Sequence, residues 1–134
     1  MSSKREGELK SAAMKELRRQ CPSFLILLQA TAGAPDRLIV GNGCTTGWEF
    51  KHATPDAKFP GHQALLCARL CAQGLHVRYV VWIEARDGSN KQIMIVMPHR
   101  IIEGQRGFKL QPEASCYGFD HKWLVEQISE AHGV

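Results

Sequence analysis

An aspartate and a nearby Glu-x-Lys triplet are the residues whose types and spacing are best suited to chemistry. Asp36 precedes the apolar segment 37–40, and Glu49 and Lys51 lie in the next segment of strand-like sequence. The turn signal Gly41-Asn42-Gly43 separates the two segments and predicts that they pair as a hairpin. Because side chains alternate across a strand, Glu49 and Lys51 should share one face, and Asp36 should enter beside them.

Such a placement favours a divalent cation. Two neighbouring carboxylates repel each other unless a cation lies between them, and their hard oxygen atoms suit Mg²⁺ or Mn²⁺ better than zinc. Asp36 and Glu49 are therefore predicted metal ligands. Lys51 would stand beside the ion, where its ammonium group holds or polarises an attacking water.

The same residues resemble a known family signature. Pro35-Asp36 followed by Glu49-Phe50-Lys51 resembles the motif of the PD-(D/E)XK nucleases, and Gly33-Ala34-Pro35-Asp36 with Gln63 downstream resembles more narrowly the VRR-NUC branch. The resemblance implies that Asp36, Glu49, Lys51 and Gln63 are catalytic, with Gln63 facing the active site to support the lysine or the substrate. It also implies that the backbone carbonyl of Phe50 is a metal ligand.

The order of the predicted elements matches the core that this resemblance implies. That core is an α/β (α+β) restriction-endonuclease-like fold, a mixed β-sheet flanked by helices in the order αβββαβ, with a C-terminal β/α extension. We expect one nuclease domain over residues 1–134, a family-like core at about 5–85 and the extension at about 92–134. The extension would serve dimerisation, DNA contact or closure of the core.

Hydrophobic periodicity and turn signals place the other elements. Helices are predicted at 4–20, 60–73 and 122–131, and strands at 23–30, 75–84 and 92–97. The apolar run 23–30 predicts a buried strand that lies against the hairpin. The helix that opens at Pro60 and ends before Gly74 should bury the stripe Leu66, Cys67, Leu70 and Cys71, and the last helix should present Trp123, Leu124 and Ile128 on one face.

The first helix carries a third candidate ligand. Its apolar residues recur at steps of four, Leu9, Ala13 and Leu17. Glu6 lies on the same side of the helix, whereas Glu8 is rotated away. The stretch Glu6-Gly7-Glu8-Leu9, followed by Ala12-Ala13 and Leu17-Arg18, resembles the opening helix of phage-type VRR-NUC proteins, whose leading glutamate reaches the metal site. By that resemblance Glu6 is a metal ligand, with Glu8 as the alternative; a role for Glu6 in stabilising the helix amino terminus is the competing interpretation.

Composition narrows the class of protein. Hydrophobic residues make up 44% of the 134 and charged residues 22%, and no apolar run approaches the roughly 20 residues that a membrane span needs. The polar amino terminus leads into a helical pattern instead of a signal sequence, so we expect an intracellular, cytoplasmic protein, in the host cytoplasm if phage-encoded.

The five cysteines are odd in number and lack a CxxC pair, which favours reduced, mostly buried thiols over disulfides. Cys67 and Cys71 are four residues apart and would bind zinc together with His52 or His62 in an alternative interpretation, that of a small structural zinc protein. Core packing is the competing explanation for both thiols.

A net charge of +4 is compatible with nucleic acid as the partner. The resemblance implies branched DNA, such as a Holliday junction or a flap, in replication, recombination or repair, and a stand-alone phage-type protein. A resolvase that cuts two strands symmetrically needs two active sites, so a homodimer is expected. A DNA-binding module that keeps the nuclease fold but cuts nothing is the main alternative.

Overall fold

Three helices flank a six-stranded mixed sheet in the part of the chain that the structure, a computed structural model, describes: residues 3–29, 31–59, 64–101 and 104–134. The predicted mixed sheet with flanking helices and the order αβββαβ of its first elements are confirmed. In chain order the elements are α1 Ser3–Gln20, β1 Leu25–Leu28, β2 Arg37–Gly41, β3 Cys44–Ala53, α2 Leu65–Ala72, β4 His76–Ile83, β5 Gln92–Val96, β6 Ala114–Tyr117 and α3 His121–Ala131.

The strands lie side by side in the order in which they follow one another along the chain. All neighbours are antiparallel except β3 and β4, which are parallel and are connected through α2. The predicted hairpin is formed by β2 and β3, whose pairing continues to Gly41 and Cys44. Asn42 and Gly43 form the turn at φ 53° and 74°, the left-handed conformation that Asn-Gly adopts at low cost.

Two hydrophobic cores cover the two faces of the sheet. On the α1/α3 face, the face on which α1 and α3 pack, the core residues of the central strands are Ile39, Trp48, Phe50, Val80, Trp82, Ile93 and Ile95. On the α2 face, on which α2 packs, the strands contribute Ala53, Val77, Tyr79, Val81, Ile83, Met94 and Val96. Burial on both sides explains why β4 is apolar without alternation from Tyr79 to Ile83.

The helices pack much as their periodicity predicts. Leu9, Ala13 and Leu17 of α1 are buried, and α3 buries Leu124, Val125 and Ile128. The side chain of Asp120 caps α3 by accepting the Trp123 N–H at 3.0 Å. Within the described ranges, no helix has both the length and the apolar character that crossing a bilayer requires.

The prediction of a buried strand at 23–30 is wrong. β1 is the edge strand, it spans only Leu25–Leu28, and three of its four residues are exposed. The fourth, Ile26, packs against the core of the α1/α3 face. An unbroken apolar run is the pattern of a strand that is covered on both faces, and it does not distinguish such a strand from an edge strand whose second face has no helix over it.

Three further predictions need correction. The predicted start of α2 at Pro60 lies outside the described residues. Of its predicted stripe only Cys67 is fully buried, and Leu66, Leu70 and Cys71 are half-buried. Among the five cysteines, all of which lie in the described ranges, Cys67 is also the only fully buried thiol; the other four are half-buried, and all five are free. Strand β6 was not predicted, because Ala-Ser-Cys-Tyr has neither the β-branched residues nor the alternation of a typical strand.

Candidate active site

Asp36 and Glu49 lie against each other at the mouth of the β2–β3 hairpin. The main-chain N–H of Asp36 donates to Glu49 Oε1 at 3.0 Å, and the main-chain N–H of Phe50 donates to Asp36 Oδ2 at 3.1 Å. Each carboxylate is thus held by the backbone beside the other one. This reciprocal pair of hydrogen bonds, which we call the carboxylate clamp, keeps two negative charges adjacent despite their repulsion.

Lys51 completes the cluster. Its Nζ lies 3.4 Å from Glu49 Oε2, and both side chains are mostly shielded from solvent. The alternation of β3 works as predicted, because Trp48 and Phe50 are buried on the α1/α3 face while Glu49 and Lys51 point the other way. The structure therefore brings together Asp36, Glu49 and Lys51.

The electrostatics of Glu49 reflect this crowding. Burial in the first place, and then the negative charge of Asp36, raise the pKa of its carboxyl to about 7, although Lys51 acts against both. The positive charge of Lys51 therefore offsets burial and the charge of Asp36 only in part. A cation placed at the pair would supply more positive charge.

A second lysine reaches the site from α1. The Nζ of Lys10 lies 3.7 Å from Asp36 Oδ2, although nothing in the sequence pattern of α1 marks this residue as functional. Only its position in the helix indicates a role at the site, because Lys10 follows the buried Leu9 and comes one helical turn after Glu6. A sequence interpretation could have found Lys10 by asking which side chain of α1 flanks the apolar stripe.

The remaining predicted ligands have different positions. Glu6 is half-buried one turn before Lys10, and within the described residues no hydrogen bond or ion pair joins it to Asp36 or Glu49. Glu8 is exposed and pairs with Arg5 at 3.7 Å. Phe50 contributes its main chain to the carboxylate clamp through its N–H. Gln63 lies outside the described residues.

A cleft of about 570 Å³ opens beside the clamp. Asp36 and Glu49 line it together with Gln29 and the small-residue segment 31–34. The segment lies close to the sheet, since a Cβ on Gly47 of β3 would come within 2.8 Å of the Pro35 ring. Small residues on one wall and carboxylates on the other leave room for a charged group to approach the clamp.

A second cleft, of about 670 Å³, lies where β3 ends. It is lined by His52, Ala53, Thr54, Asp56, Ala57, Lys58 and Arg86. His52 Nε2 is 2.8 Å from Glu84 Oε1, which also accepts from Arg5 Nε at 3.0 Å. Burial alone would raise the pKa of Glu84, but the hydrogen bonds from Arg5 and His52 outweigh it and lower that pKa.

Among the residues that the structure describes, the cysteines and His52 form no group that could hold zinc. Cys67 belongs to the core of the α2 face, whereas His52 lies beside Trp82 and bonds to Glu84. Burial raises the pKa of the Cys67 thiol to about 11, and the charge of Glu49 adds to the effect, so the thiol is protonated at neutral pH. The other candidate ligand, His62, lies outside the described residues.

Two carboxylate residues fit an oxygen-preferring cation such as Mg²⁺ or Mn²⁺, whose remaining positions water and substrate commonly fill. Within the described parts of the chain no group of three or more His, Cys, Asp or Glu side chains is arranged so that it could hold a metal ion. Asp36 and Glu49 would by themselves supply only two of the ligand residues of such an ion. No protein-family model matches the sequence, and no curated protein matches it significantly.

Proposed function

We propose that this protein is a Mg²⁺- or Mn²⁺-dependent endonuclease with a restriction-endonuclease-like core that hydrolyses phosphodiester bonds of DNA, with branched DNA as its substrate. The observation that carries the proposal is the carboxylate clamp with Lys51 3.4 Å from Glu49. Asp36, Glu49 and Lys51 have the order and the spacing of the PD-(D/E)XK motif, and they meet in space as that chemistry requires. The element order of the described residues supports the core assignment.

The proposed residues would overcome the resistance of a phosphodiester to nucleophilic attack. An anionic phosphodiester repels a nucleophile, so an enzyme must offset the charge, orient a water and stabilise the leaving oxygen. Asp36 and Glu49 would hold the cation, which when bound offsets phosphate charge and makes a nearby water more acidic. Glu6 lies one turn from Lys10 on the helix that borders the site, and it would be the third carboxylate ligand after a change of rotamer.

Lys51 and Lys10 would have different roles. Lys51 orients the attacking water from the β3 side, at the position next to Glu49. Lys10 brings a second ammonium group to the Asp36 side, where it opposes the negative charge of the phosphate. The cleft along segment 31–34 would take the scissile phosphate, because its small side chains allow a close approach of the backbone.

The decisive experiment measures cleavage of a matched panel: a four-way junction, a flap, a single strand and a linear duplex, each with Mg²⁺, Mn²⁺ or EDTA. Wild-type protein should cut a branched form only with metal. Asp36→Ala and Lys51→Ala should each lower the cleavage rate at least 100-fold, because they remove a metal ligand and the water-orienting group.

Two control variants match the charge changes away from the site. Lys122→Ala and Glu126→Ala alter exposed residues of α3, on the opposite face of the sheet from Lys51, and should cut at the wild-type rate. Full activity of Asp36→Ala or Lys51→Ala would refute the nuclease proposal. Metal-independent binding to DNA with no cutting of any panel member would identify a non-catalytic DNA-binding module instead.

A further inference from the structure

The edge strand β1 exposes an unusual amount of apolar surface. Leu25, Leu27 and Leu28 are 61%, 46% and 78% exposed, and they follow one another along a strand of four residues. Edge strands in soluble proteins are commonly protected by a lysine, a proline or a bulge. β1 has none of these, and the whole segment 21–35 contains no charged residue in a chain that is 22% charged.

The outer edge of β1 offers main-chain groups for pairing. The N–H of Gln29 donates to the carbonyl of Asp36 at 3.1 Å, on the β2 side. Because antiparallel strands direct every second residue toward a given neighbour, Leu27 and Leu25 also bond toward β2. Ile26 and Leu28 therefore direct their N–H and C=O groups outward, where no strand of the described chain pairs with them.

We propose that β1 pairs antiparallel with β1 of a second copy of this chain, about a two-fold axis, to form a continuous twelve-stranded sheet from two six-stranded sheets. The outward groups select the register. Ile26 faces Leu28 of the second copy in two equivalent hydrogen-bonded pairs, and Leu27 faces its own counterpart on the axis in a non-hydrogen-bonded pair.

The charge and the shape of the surface around β1 favour a second copy of this chain as its partner. A two-fold axis sets each residue near its own counterpart, so a charged strand would repel itself, and the uncharged segment 21–35 avoids that repulsion. In this register Leu28 of each copy lies next to a cleft of about 260 Å³ on the α1/α3 face of the other. That cleft is lined by Ser11, Met14, Arg18, Ile26, Leu28 and Arg37.

The arrangement has a consequence for the two clamps. A two-fold axis between antiparallel edge strands is perpendicular to the sheet, so both copies present the α2 face on the same side of the dimer. Glu49 and Lys51 of both copies then face one common side. Dimerisation through β1 is inferred from the edge strand alone and does not depend on the proposed nuclease activity.

Sedimentation velocity of the full chain, without DNA or metal, tests the interface. Wild type should sediment as a dimer, and Leu27→Lys should sediment as a monomer because two ammonium groups would meet on the axis. Leu65→Lys is the matched control: Leu65 is 62% exposed on α2, away from β1, so this variant should remain dimeric. Far-UV circular dichroism of all three proteins checks that they are folded.

A cross-link gives a second readout that does not require a destabilising charge. Leu27→Cys should form an interchain disulfide under mild oxidation, because non-hydrogen-bonded antiparallel pairs bring the two Cα atoms within disulfide range. Leu65→Cys and the wild type, which share the five native thiols, should not cross-link. Monomeric wild type at all concentrations, an intact dimer of Leu27→Lys, or failure of Leu27→Cys to cross-link would each overturn the proposal.

Discussion

The Glu49 carboxyl is the residue whose charge state depends most clearly on its surroundings. Its pKa is raised from 4.5 to about 7, so between those pH values the folded protein binds a proton that the unfolded chain does not. Any stability that depends on this proton is fully present below pH 4.5 and is lost as the pH rises through 7. At pH 8 the metal-free protein therefore holds an ionised and poorly solvated carboxylate.

Glu49→Gln should stabilise the metal-free protein at pH 8 by up to about 3 kcal/mol, the free energy that corresponds to a pKa raised from 4.5 to about 7. The amide oxygen of glutamine still accepts the Asp36 N–H, so the geometry is preserved. Urea denaturation at pH 8 and pH 4.5 in EDTA measures the effect, which should disappear at the lower pH.

The exposed Glu126→Gln on α3 is the control and should change stability little at either pH. Destabilisation by Glu49→Gln at pH 8 would contradict this prediction. It would mean that the surroundings stabilise the ionised Glu49 carboxylate, whereas its raised pKa means that they disfavour it.

At this scale the sequence was informative about which side chains meet. Strand alternation alone places Glu49 and Lys51 on one face, and the turn signal brings Asp36 beside them. The clamp itself was not predictable, because main-chain donors depend on the detailed course of the backbone near Pro35 and Phe50. Lys10 was missed since its contact depends on where α1 docks, which the pattern of α1 does not specify.

Among the elements, α3 is tied to the β2–β3 hairpin by a buried chain of hydrogen bonds. Trp48 Nε1 donates to Thr46 Oγ1 at 2.7 Å, and Thr46 Oγ1 lies 2.8 Å from His132 Nε2. His132 Nδ1 lies 2.9 Å from the Gly41 carbonyl, which only accepts, so Nδ1 donates and Nε2 is left to pair with the Thr46 hydroxyl. Each polar group in this series of hydrogen bonds therefore has a partner.

Thr46→Val should destabilise the protein by about 1–3 kcal/mol, because it removes the hydroxyl at the centre of the chain and leaves two buried polar groups without a partner. Chemical denaturation followed by tryptophan fluorescence measures the loss. Thr45→Val makes the same substitution at the neighbouring exposed position of β3 and should shift the denaturation midpoint little. Equal effects of the two substitutions would contradict this role for Thr46.

The elements that were predicted well are those with a strong local pattern. α1, α3, β4 and β5 have clear periodicity or dense branched residues, and their cores follow from it. The burial of β1 and the existence of β6 depend on which strand is at the edge and on which faces the helices cover. These are properties of the assembled sheet, and a four-residue segment such as 114–117 contains little trace of them.

For the whole molecule, the net charge of +4 says little about a binding surface until the positions of the individual basic side chains are known. β3 runs from Glu49 and Lys51 to the second cleft, whose rim carries the exposed Lys58 and Arg86. Under the proposed function, DNA that is bound at the clamp and also reaches the second cleft would meet these two cations. The sequence alone does not show that Lys58 and Arg86 line one cleft, because 27 residues separate them along the chain.

The double variant Lys58→Ala, Arg86→Ala should weaken binding to branched DNA and make the negative slope of log K against log salt concentration less steep by about 2, because two phosphates would no longer be neutralised by the protein. Fluorescence anisotropy in EDTA, which prevents cleavage, measures binding from low to moderate salt. Lys122→Ala should leave the slope unchanged, and an unchanged slope in the double variant would place the DNA elsewhere.

The strand order has a consequence for synthesis on the ribosome. Since each strand pairs with the one before it in the chain, the sheet can grow as the chain emerges, and Asp36, Glu49 and Lys51 are brought together as soon as β3 is complete. The polar side chain of Thr46, however, finds its partner His132 only 86 residues later. The α1/α3 face of the nascent sheet must therefore wait, covered by α1 alone, for α3 to arrive, and during that interval we expect it to be a substrate for chaperones.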